Sequence, residues 1–355
     1  MEPLKIKDPQ GDYIVRFVDV VAIRRIPHGS VLCDTRVNEP YFRCPSWFQI
    51  GVSEPLKNLE RVSSICDWLA DRNHDKTTPL IVIGGGYTQD LGCFVAHVYK
   101  RGIPWVYIPT TLLSMADSCI GSKAGLNLSG WKQQIGCYHP PSEVIICPEF
   151  LESLSALDTA SGLGEVMKLG VIGGWKGEPW ESLLSSSGKL TAQQILQVIR
   201  ASLETKKAII EEDPYDRGKR LILNYGHTFG HALESVTDYA IPHGIAVIWG
   251  MDLINAFASD CGDLSRRGES AIRTAFSYVL QKRPLDMKIK VSFAALMKAV
   301  AQDKKVRGTH VNLAIAYGVG DVRMKEVPIY GDLEKSARDY CMTKNILADV
   351  LTFTP

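Results

Sequence analysis

The chain has 355 residues, 45% of them hydrophobic and 22% charged, and its 40 Lys and Arg side chains nearly balance 39 Asp and Glu. The length suggests two domains, and a net charge of +1 excludes a global field that would attract nucleic acid or an anionic membrane. The sequence contains no run of about 18 apolar residues that could span a membrane, and its polar amino terminus excludes the apolar core of a secretory signal.

Roughly the first 150 residues alternate β-branched runs with helical patterns. Several of the runs are apolar throughout, which is typical of strands buried on both faces. The predicted helices cover residues 55–72 and 89–100, and the predicted strands cover 13–18, 20–26, 30–37, 47–51, 79–83, 105–108 and 143–147, the first two as a hairpin. Strands that alternate with helices predict right-handed βαβ units and a mostly parallel, Rossmann-like sheet.

The rest of the chain has mainly helical patterns, with apolar residues at i, i+3 and i+4. The predicted helices cover residues 159–172, 193–212, 228–236, 244–259, 269–280 and 293–303, and a late pair of strands covers 311–317 and 324–329. We therefore expect an α/β fold, with a nucleotide-binding α/β domain over residues 1–156 and a mainly α-helical domain over residues 157–355.

Two turns in the first part suggest binding of a nucleotide and a polyol. The strand at 79–83 leads into Gly84, Gly85 and Gly86 and then into a helix, an arrangement that lets backbone amides approach a pyrophosphate. The motif is not GxGxxG, and a tight turn alone would also explain the glycines. After the next strand, residues 109–113 are followed by Asp117 and Lys123, groups that suit a ribose and a polyol, although helix capping by Thr and Asp is an alternative.

Three histidines cluster within the second part. His227 and His231 lie four residues apart on one predicted helical face, and His243 follows at the start of the next helix. The spacing resembles the zinc-peptidase helix motif, but that motif's general-base Glu is replaced by Thr here, which argues against a peptidase. Upstream, Glu165 and Lys168 share a helical face. A catalytic divalent ion usually has three protein ligands, and Glu165 with two of the three histidines would supply them.

A cationic cluster accompanies these residues. Lys206 or Lys207 and Arg220 precede Asn224, and Arg220 and Asn224 are predicted to lie on one helical face that leads into His227. Lys304 and Lys305 follow much later in the chain. Such a face can hold a carboxylate or a phosphate through charge-assisted hydrogen bonds, and a solvated basic helix is the alternative.

Taken together, these segments resemble the dehydroquinate synthase family, the parent of the sugar phosphate cyclases. The matching stretches follow the order of the family and extend from about residue 80 to 320. They are GGGYTQDLG (84–92), YKRG (99–102), PTTLLSMADSCIGSK (109–123), FLESL (150–154), GLGEVMK (162–168), LNYGHTFGHALE (223–234), HGIAVIWGM (243–251) and DKKVRG (303–308).

The resemblance implies NAD as a regenerated cofactor, one divalent metal ion (zinc, with cobalt as an alternative) and a homodimer, in which Arg101 would reach the phosphate bound to the other subunit. It implies Glu165, His227 and His243 as metal ligands. The implied cofactor contacts are Asp34, Glu54, Lys57, Gly85, Gly86, Asp90, Thr110, Thr111 and Leu113. The implied catalytic residues are Lys168, His231, Asp117, Lys123 and Asn224, and the other implied substrate contacts are Arg101, Lys132, Gln133, Lys206, Arg220 and Lys305.

The implied reaction converts a 7-phosphorylated 3-deoxy-heptulosonate into a carbocycle. It runs through transient oxidation by NAD, β-elimination of phosphate, reduction and an intramolecular aldol step, and makes the protein a carbon–oxygen lyase. Arg220, Asn224 and His231 follow the dehydroquinate synthase pattern. Other cyclases of secondary metabolism remain alternatives, namely the sedoheptulose 7-phosphate cyclase, aminodehydroquinate synthase and 2-deoxy-scyllo-inosose synthase types.

Four departures from the family pattern suggest a divergent paralogue. Gln133 stands in place of Asn, Ser122 in place of Gly, and Ile245 in place of a Glu whose charge would lie near the metal ligands. The region before residue 80 is also short, with little room for a helix between Asp34 and Glu54, so we expect a remodelled adenosine pocket.

Two functions of other kinds remain open. One is an NAD- and metal-dependent polyol dehydrogenase, and the other is a catalytically silent homologue that acts as a binding protein. Nine cysteines without paired short spacings indicate free thiols in a reducing cytoplasm rather than disulfides. We therefore expect a cytoplasmic biosynthetic enzyme that binds a phosphorylated sugar or sugar acid, without a nucleic-acid or membrane partner.

Overall fold

The computed structural model describes residues 1–23, 29–37, 47–129, 131–185, 191–281, 285–303 and 305–354. These residues form two compact units. The first contains Met1–Leu154 and Lys206–Tyr215, and the second contains Ser155–Thr205 and Asp216–Pro355. The segment Lys206–Tyr215, from the middle of the chain, thus belongs to the amino-terminal unit, so one boundary along the sequence does not separate the two units.

A seven-stranded sheet is the centre of the first unit, in the order β1-β2-β9-β6-β5-β3-β4. β1 pairs antiparallel with β2, and every other pair in this sheet is parallel. The strands are β1 (Leu4–Ile6), β2 (Tyr13–Phe17), β3 (Val31–Asp34), β4 (Trp47–Ile50), β5 (Leu80–Gly84), β6 (Trp105–Pro109) and β9 (Glu143–Ile146). The mostly parallel sheet confirms the predicted α/β class.

The remaining elements of this unit are α1 (Val20–Ile23), α2 (Leu59–Asp71), α3 (Gly86–Val98) and an antiparallel hairpin of β7 (Lys123–Leu128) and β8 (Trp131–Tyr138). The predicted strand at 20–26 is wrong where it is described, because α1 occupies its first part; residues 24–26 lie outside the described residues. The hairpin partner of β2 is instead β1. The strands β7 and β8 were not predicted, because Lys123, the polar residues 132–134 and the glycines at 125 and 136 interrupt their apolar pattern.

Strand β5 places the glycine turn. All five of its residues are buried, and it pairs in parallel with both β3 and β6. Since parallel strands need a crossover, the chain leaves β5 at Gly84 and enters α3 at Gly86. The amino end of α3 therefore lies at the carboxyl edge of the sheet, where ligands bind in open α/β folds.

Eight helices form most of the described part of the second unit, and the last turn of α6 belongs to the first unit. They are α4 (Ala156–Gly173), α5 (Glu178–Ser185), α6 (Ala192–Ile210), α7 (His227–Val236), α8 (His243–Asp260), α9 (Arg266–Leu280), α10 (Phe293–Ala301) and α11 (Asp332–Asp339). Residues Gly244 to Ser259 of α8 are all buried, so this helix lies in the centre of the unit rather than on its surface. No described helix is long and apolar enough to cross a membrane.

Two small sheets complete the second unit. β11 (Val306–Arg307), β12 (His310–Gly318) and β13 (Asp321–Pro328) are antiparallel, and β10 (Ile289–Ser292) pairs in parallel with β14 (Leu351–Thr354). The late strand pair of the sequence analysis corresponds to β12 and β13.

Glycines set the separation of α4, α7 and α8. A Cβ on Gly244 would lie 1.8 Å from the carbonyl oxygen of Ser161, and one on Gly164 would lie 2.2 Å from the carbonyl oxygen of Gly244. At the other crossing, a Cβ on Gly250 would lie 2.1 Å from the carbonyl oxygen of Gly226, which itself has φ +78°. These close approaches matter because Glu165 follows Gly164, His227 follows Gly226 and His243 precedes Gly244.

Replacing Gly244 with Ala is expected to destabilise the second unit by about 3 kcal/mol or more, because the added methyl overlaps the α4 backbone, which cannot move aside as a side chain could. Chemical unfolding measures the change. Gly318→Ala is the matched control: a Cβ there meets no atom within 4 Å, so its effect should stay within about 0.5 kcal/mol. Equal stability of the two variants would contradict the close helix crossing.

Candidate active site

Glu165, His227 and His243 converge within the second unit. Oε1 of Glu165 lies 3.2 Å from Nε2 of His243 and 3.6 Å from Nε2 of His227. The carboxylate comes from the buried middle of α4, whereas the imidazoles are the first residues of α7 and α8. Three helices thus bring one carboxylate oxygen and two imidazole nitrogens to a common point.

His231 lies beside this group, one turn along α7 from His227. One ring nitrogen from each of His227, His231 and His243 lies within 4.8 Å of the other two. Burial and the neighbouring Lys168 lower the pKa of His227 well below its usual value, and burial and the neighbouring His227 do the same for His231. Both rings are therefore neutral at pH 7, the form in which imidazole binds a metal ion or accepts a proton.

Glu234 orients His243. Its Oε2 lies 3.0 Å from Nδ1 of His243, on the ring edge opposite the nitrogen that faces Glu165. Burial alone would lower the pKa of His243, but the carboxylates of Glu234 and Glu165 raise it to about 10. The sequence analysis did not single out Glu234, although it stands three residues after His231 on the same helix and within a quoted motif. Ile245, the departure expected to remove a charge here, lies fully in the core, and Glu234 supplies the carboxylate instead.

Replacing Glu234 with Ala is expected to weaken binding of Zn²⁺ by about 10- to 100-fold, because a histidine ligand is held in its tautomer and orientation by the partner of its second nitrogen. Competition against a metallochromic dye measures this affinity without any substrate. Glu326→Ala, on β13, is the control and should leave the affinity unchanged. Unchanged affinity in Glu234→Ala would mean that the carboxylate does not act on the site.

Two lysines add positive charge around this group. The ammonium of Lys168 contacts Oε2 of Glu165 inside the core, with 4% of the Lys168 side chain exposed. Nζ of Lys305 donates to Thr228 Oγ1 on α7 and to Asp303 Oδ2, both at 3.0 Å. Lys304 lies outside the described residues. Both described lysines are held by fixed partners, so their charges have defined positions.

Arg220 and Asn224 lie on a 3-10 turn, Lys219–Asn224, rather than on the predicted α-helix. Tyr225 and Gly226 separate this turn from α7, so the prediction of one continuous helical face running into His227 is wrong. The reason is Gly226, whose φ of +78° ends the turn and starts a helix in a new direction. Arg220 is buried all the same, with 4% of its surface exposed.

The donor set around Glu165 fits a divalent cation. One carboxylate and two imidazoles are the three-ligand arrangement that catalytic zinc takes; His227 is already neutral, and His243 must release its proton to bind the cation. A second carboxylate hydrogen-bonded to one of the imidazoles is also typical of such sites. The residues present therefore suit Zn²⁺ or Co²⁺ better than Mg²⁺ or Ca²⁺, which prefer oxygen ligands.

In the first unit, the glycine turn leaves the amino end of α3 open. A Cβ on Gly85 would touch Thr111 Cγ2 at 3.0 Å, whereas one on Gly86 would meet only Ser118 Oγ, at 3.9 Å. A backbone without side chains at a helix amino end suits a diphosphate group, so this turn fits the pyrophosphate of a dinucleotide.

Glu54, Lys57 and Asp90 form a network beside this turn. Nζ of Lys57 lies 2.9 Å from Asp90 Oδ2 and 3.2 Å from Glu54 Oε1. Asn127, a residue that the sequence analysis missed, donates from Nδ2 to the carbonyl and carboxylate oxygens of Glu54 and accepts from the backbone N–H of Gln133. Asn127 lies outside the family motifs named above, and its burial, which only the structure shows, identifies it as a structural cross-link.

The other predicted nucleotide contacts follow β3 and β6. Thr110 and Thr111 come directly after β6, and Leu113 precedes a π-helical turn, Ser114–Ser118. The Thr111 hydroxyl lies 2.8 Å from Ser114 Oγ, which fixes its orientation. Asp34 ends β3, and its carboxylate accepts hydrogen bonds from the backbone and side chain of Arg36. The segment between Asp34 and Glu54 includes residues 38–46, which lie outside the described residues, so the expected remodelling of an adenosine pocket stays a prediction.

The predicted substrate residues of this unit lie on several different elements. Asp117 lies on the π-helical turn. Nζ of Lys206 donates a hydrogen bond to its backbone carbonyl oxygen at 2.7 Å and forms an ion pair with its Oδ1 at 2.5 Å. Lys123 begins β7, whereas Lys132 and Gln133 are exposed on β8, where Gln133 has φ +52°. Arg101 is exposed, follows α3 and has φ +63°. The described structure thus brings Asp117 and Lys206 into contact. Lys123, Lys132 and Gln133 lie on the β7–β8 hairpin, and Arg101 lies on the turn after α3.

Family models and known proteins match this chain over most of its length. The model of the 3-dehydroquinate synthase N-terminal domain matches residues 47–161, and that of its C-terminal domain matches residues 162–306. The 3-dehydroquinate synthase of Streptococcus equi subsp. equi (strain 4047) is 36% identical over 260 residues, which cover 73% of this chain and 71% of that protein. That of Alkaliphilus metalliredigens (strain QYMF) is 34% identical over 275 residues, 76% of each chain.

Solved structures share the fold at lower identity. A 2-deoxy-scyllo-inosose synthase complexed with carbaglucose-6-phosphate, NAD+ and Co2+ has a TM-score of 0.84 at 21% identity, over 95% of this chain and 99% of that one. The 2-epi-5-epi-valiolone synthase of Streptomyces hygroscopicus subsp. jinggangensis 5008, with NAD+ and Zn2+ bound, has a TM-score of 0.74 at 22% identity, over 91% and 95%. The family matches and the identity to curated relatives confirm the resemblance, and the chain belongs to the 3-dehydroquinate synthase family.

Proposed function

We propose that this chain is a sugar phosphate cyclase of the 3-dehydroquinate synthase type, a phosphate-eliminating carbon–oxygen lyase that depends on NAD and a divalent metal ion. The observation that carries the proposal is the convergence of Glu165, His227 and His243 with their fixed neighbours. A catalytically silent homologue would have no need for two imidazoles and a buried carboxylate at one point. The curated relatives of Streptococcus and Alkaliphilus support the specific reaction.

Each cofactor has residues that would hold it. The turn at Gly85 and Gly86, with Glu54, Lys57 and Asp90, would hold NAD, together with Asp34, Thr110, Thr111 and Leu113. The metal ion would be held by Glu165, His227 and His243. When bound, NAD takes up and returns a hydride, and the divalent cation polarises a substrate oxygen as a Lewis acid.

The chain's own side chains would bind the substrate and move protons. Arg220 presents a planar, permanently charged group that suits a carboxylate, and Lys132, Gln133 and Lys305 would meet the phosphate. Lys168, Asp117, Lys123 and Asn224 would orient the ring hydroxyls, and Lys206 holds Asp117 in place for this task. His231, which is neutral, can accept a proton from a substrate hydroxyl and return it later.

We also propose a homodimer in the cytoplasm. Arg101 lies on an exposed turn and would reach a phosphate bound to the second subunit. All eight described cysteines are free thiols, which suits a reducing compartment. Analytical ultracentrifugation tests the dimer.

A substrate panel tests the function. Purified protein with NAD and Zn²⁺ is incubated with 3-deoxy-arabino-heptulosonate 7-phosphate, sedoheptulose 7-phosphate or glucose 6-phosphate, and phosphate release and NADH are followed. We expect phosphate from the first substrate only, without accumulation of NADH, because a cyclase returns the hydride.

Every other outcome of this panel would indicate a different substrate or a different function. Phosphate release from sedoheptulose 7-phosphate or glucose 6-phosphate alone would replace the proposed substrate while keeping the reaction class. Net NADH would indicate a polyol dehydrogenase. Failure to bind both NAD and metal in calorimetry would indicate a silent homologue.

A further inference from the structure

We propose that Asp8, Tyr13 and Ser122 are positioning residues that hold the turn between Asp117 and Lys123. The inference rests on the proposed function, which assigns Asp117 and Lys123 to the substrate. All five residues belong to the first unit. The amino-terminal hairpin would then act on catalysis without contributing any atom that touches substrate.

The turn has a backbone conformation that side chains disfavour. Ser122 has φ +61°, and the preceding Gly121 has φ +100°. Glycine adopts such angles freely, but a serine there costs conformational free energy because its Cβ crowds the following carbonyl. A non-glycine residue keeps a positive φ only where surrounding contacts stabilise that conformation, so contacts of Ser122 must stabilise it here.

Three hydrogen bonds hold the turn. The Ser122 hydroxyl donates to Oδ2 of Asp8 at 2.5 Å, and the backbone N–H of Gly121 donates to the Tyr13 hydroxyl at 3.0 Å. The carbonyl oxygen of Ser122 accepts from the backbone N–H of His139 at 2.8 Å. The Ser122 side chain is buried, so water competes little for its bond with the carboxylate.

Asp8 is itself fixed. It follows β1, and its second oxygen accepts from the backbone N–H of Gln10 at 2.9 Å, while its own N–H donates to Asp12 at 3.1 Å. Tyr13 begins β2 and is 2% exposed. The carboxylate thus comes from the loop between β1 and β2, the phenol comes from the start of β2, and both reach the turn from one hairpin.

The turn connects two residues that need a defined separation. Lys206 anchors the amino-terminal end of the turn, because its ammonium binds both the backbone carbonyl oxygen and the carboxylate of Asp117. Lys123 begins β7 directly after Ser122 and pairs with Tyr138 in the hairpin register. Because Ser122 is the last residue before β7, its backbone angles set the direction in which that strand and the Lys123 side chain start.

The test uses Ser122→Gly, which removes the hydroxyl and relieves the unfavourable backbone angle at the same time. Since these two effects oppose each other, we expect the melting temperature to change little, whereas kcat/KM on the heptulosonate phosphate falls about tenfold or more. Asn73→Gly is the matched control, because Asn73 has φ +52° and lies on the surface at the end of α2. It should leave kcat/KM unchanged. A kcat/KM of Ser122→Gly within twofold of the wild type would overturn the proposal.

A kinetic cycle with Lys123 separates positioning from general loosening. In a Lys123→Ala background, Ser122→Gly should cause little further loss, because the side chain that it positions is already gone. A full, multiplicative loss in that background would overturn the proposal. Asp8→Asn should reproduce the effect of Ser122→Gly, and the pair should be non-additive.

A second measurement does not depend on activity. Hydrogen–deuterium exchange of the peptide that contains residues 118–126 should be faster in Ser122→Gly and Asp8→Asn than in the wild type and in Asn73→Gly. Unchanged exchange would overturn the proposed hold on the turn. If exchange rises as expected but Lys123→Ala alone keeps full kcat/KM, the proposed function of Lys123 fails while the turn contact stands.

Discussion

Replacing Glu165 with Gln is expected to weaken binding of the divalent cation and to lower turnover, each by more than about a hundredfold, since loss of a residue that merely orients a ligand already costs about 10- to 100-fold. The carboxamide has the same shape but no charge, so it attracts a dication far less. Isothermal titration with Zn²⁺ and phosphate release on the same preparation measure the two effects.

The same change affects Lys168. Its ammonium contacts the Glu165 carboxylate in the core, and removal of one partner of a buried ion pair typically costs about 3–5 kcal/mol of stability. Glu165→Gln could therefore unfold rather than lose metal only. The double variant Glu165→Gln with Lys168→Met removes both charges, so it should fold and still fail to bind the cation.

His243→Ala provides the independent arm of this prediction, because it removes a ligand and leaves both partners of the Glu165–Lys168 ion pair in place. His310→Ala is the matched control, since His310 is exposed on β12. It should bind the cation as the wild type does. Stoichiometric Zn²⁺ with unchanged affinity in either Glu165→Gln or His243→Ala would contradict the assignment of that ligand.

Arg220→Met is expected to lower kcat/KM for the heptulosonate phosphate by about 30-fold or more, which corresponds to about 2 kcal/mol, because a buried guanidinium that pairs with a substrate carboxylate is lost. Sedoheptulose 7-phosphate has no carboxylate, so any slow turnover of it should change little. Arg220→Lys should lie in between, since an ammonium keeps the charge but not the bidentate geometry.

Arg217→Met is the matched control for this series. Arg217 lies three residues earlier and is exposed, whereas Arg220 is buried. The control should keep the kcat/KM of the wild type. An equal loss for both sugars in Arg220→Met would indicate that the arginine stabilises the fold, and a change within twofold would mean that the natural substrate has no carboxylate at this position.

The sequence analysis predicted most of the sheet and the main helices because their patterns are local. The continuous apolar run of β5 indicates burial on two faces, and the i, i+3, i+4 spacing of α9 indicates burial on one stripe, in each case without reference to the rest of the chain. Where the local pattern is ambiguous, the prediction was wrong: three of the four residues 20–23 are β-branched, yet all four form α1.

The hairpin β7–β8 shows the opposite failure. Polar residues and glycines interrupt the apolar pattern of both strands, so the strand signal in the sequence is weak. Antiparallel pairing with its neighbour supplies the backbone hydrogen bonds that hold it, and that pairing is a tertiary contact.

The amino-acid sequence by itself determined the fold class, the order of the family motifs and the chemical types in the candidate site, because each depends on short-range pattern and composition. Only the tertiary structure decided which side chains meet. Glu234 reaches His243 across two helices, and Asp8 reaches Ser122 from 114 positions away. Such contacts depend on how the helices cross and on where the hairpin packs. Glycines at the helix crossings set the separation of the helix backbones, and a periodic pattern of apolar residues contains no information about that separation.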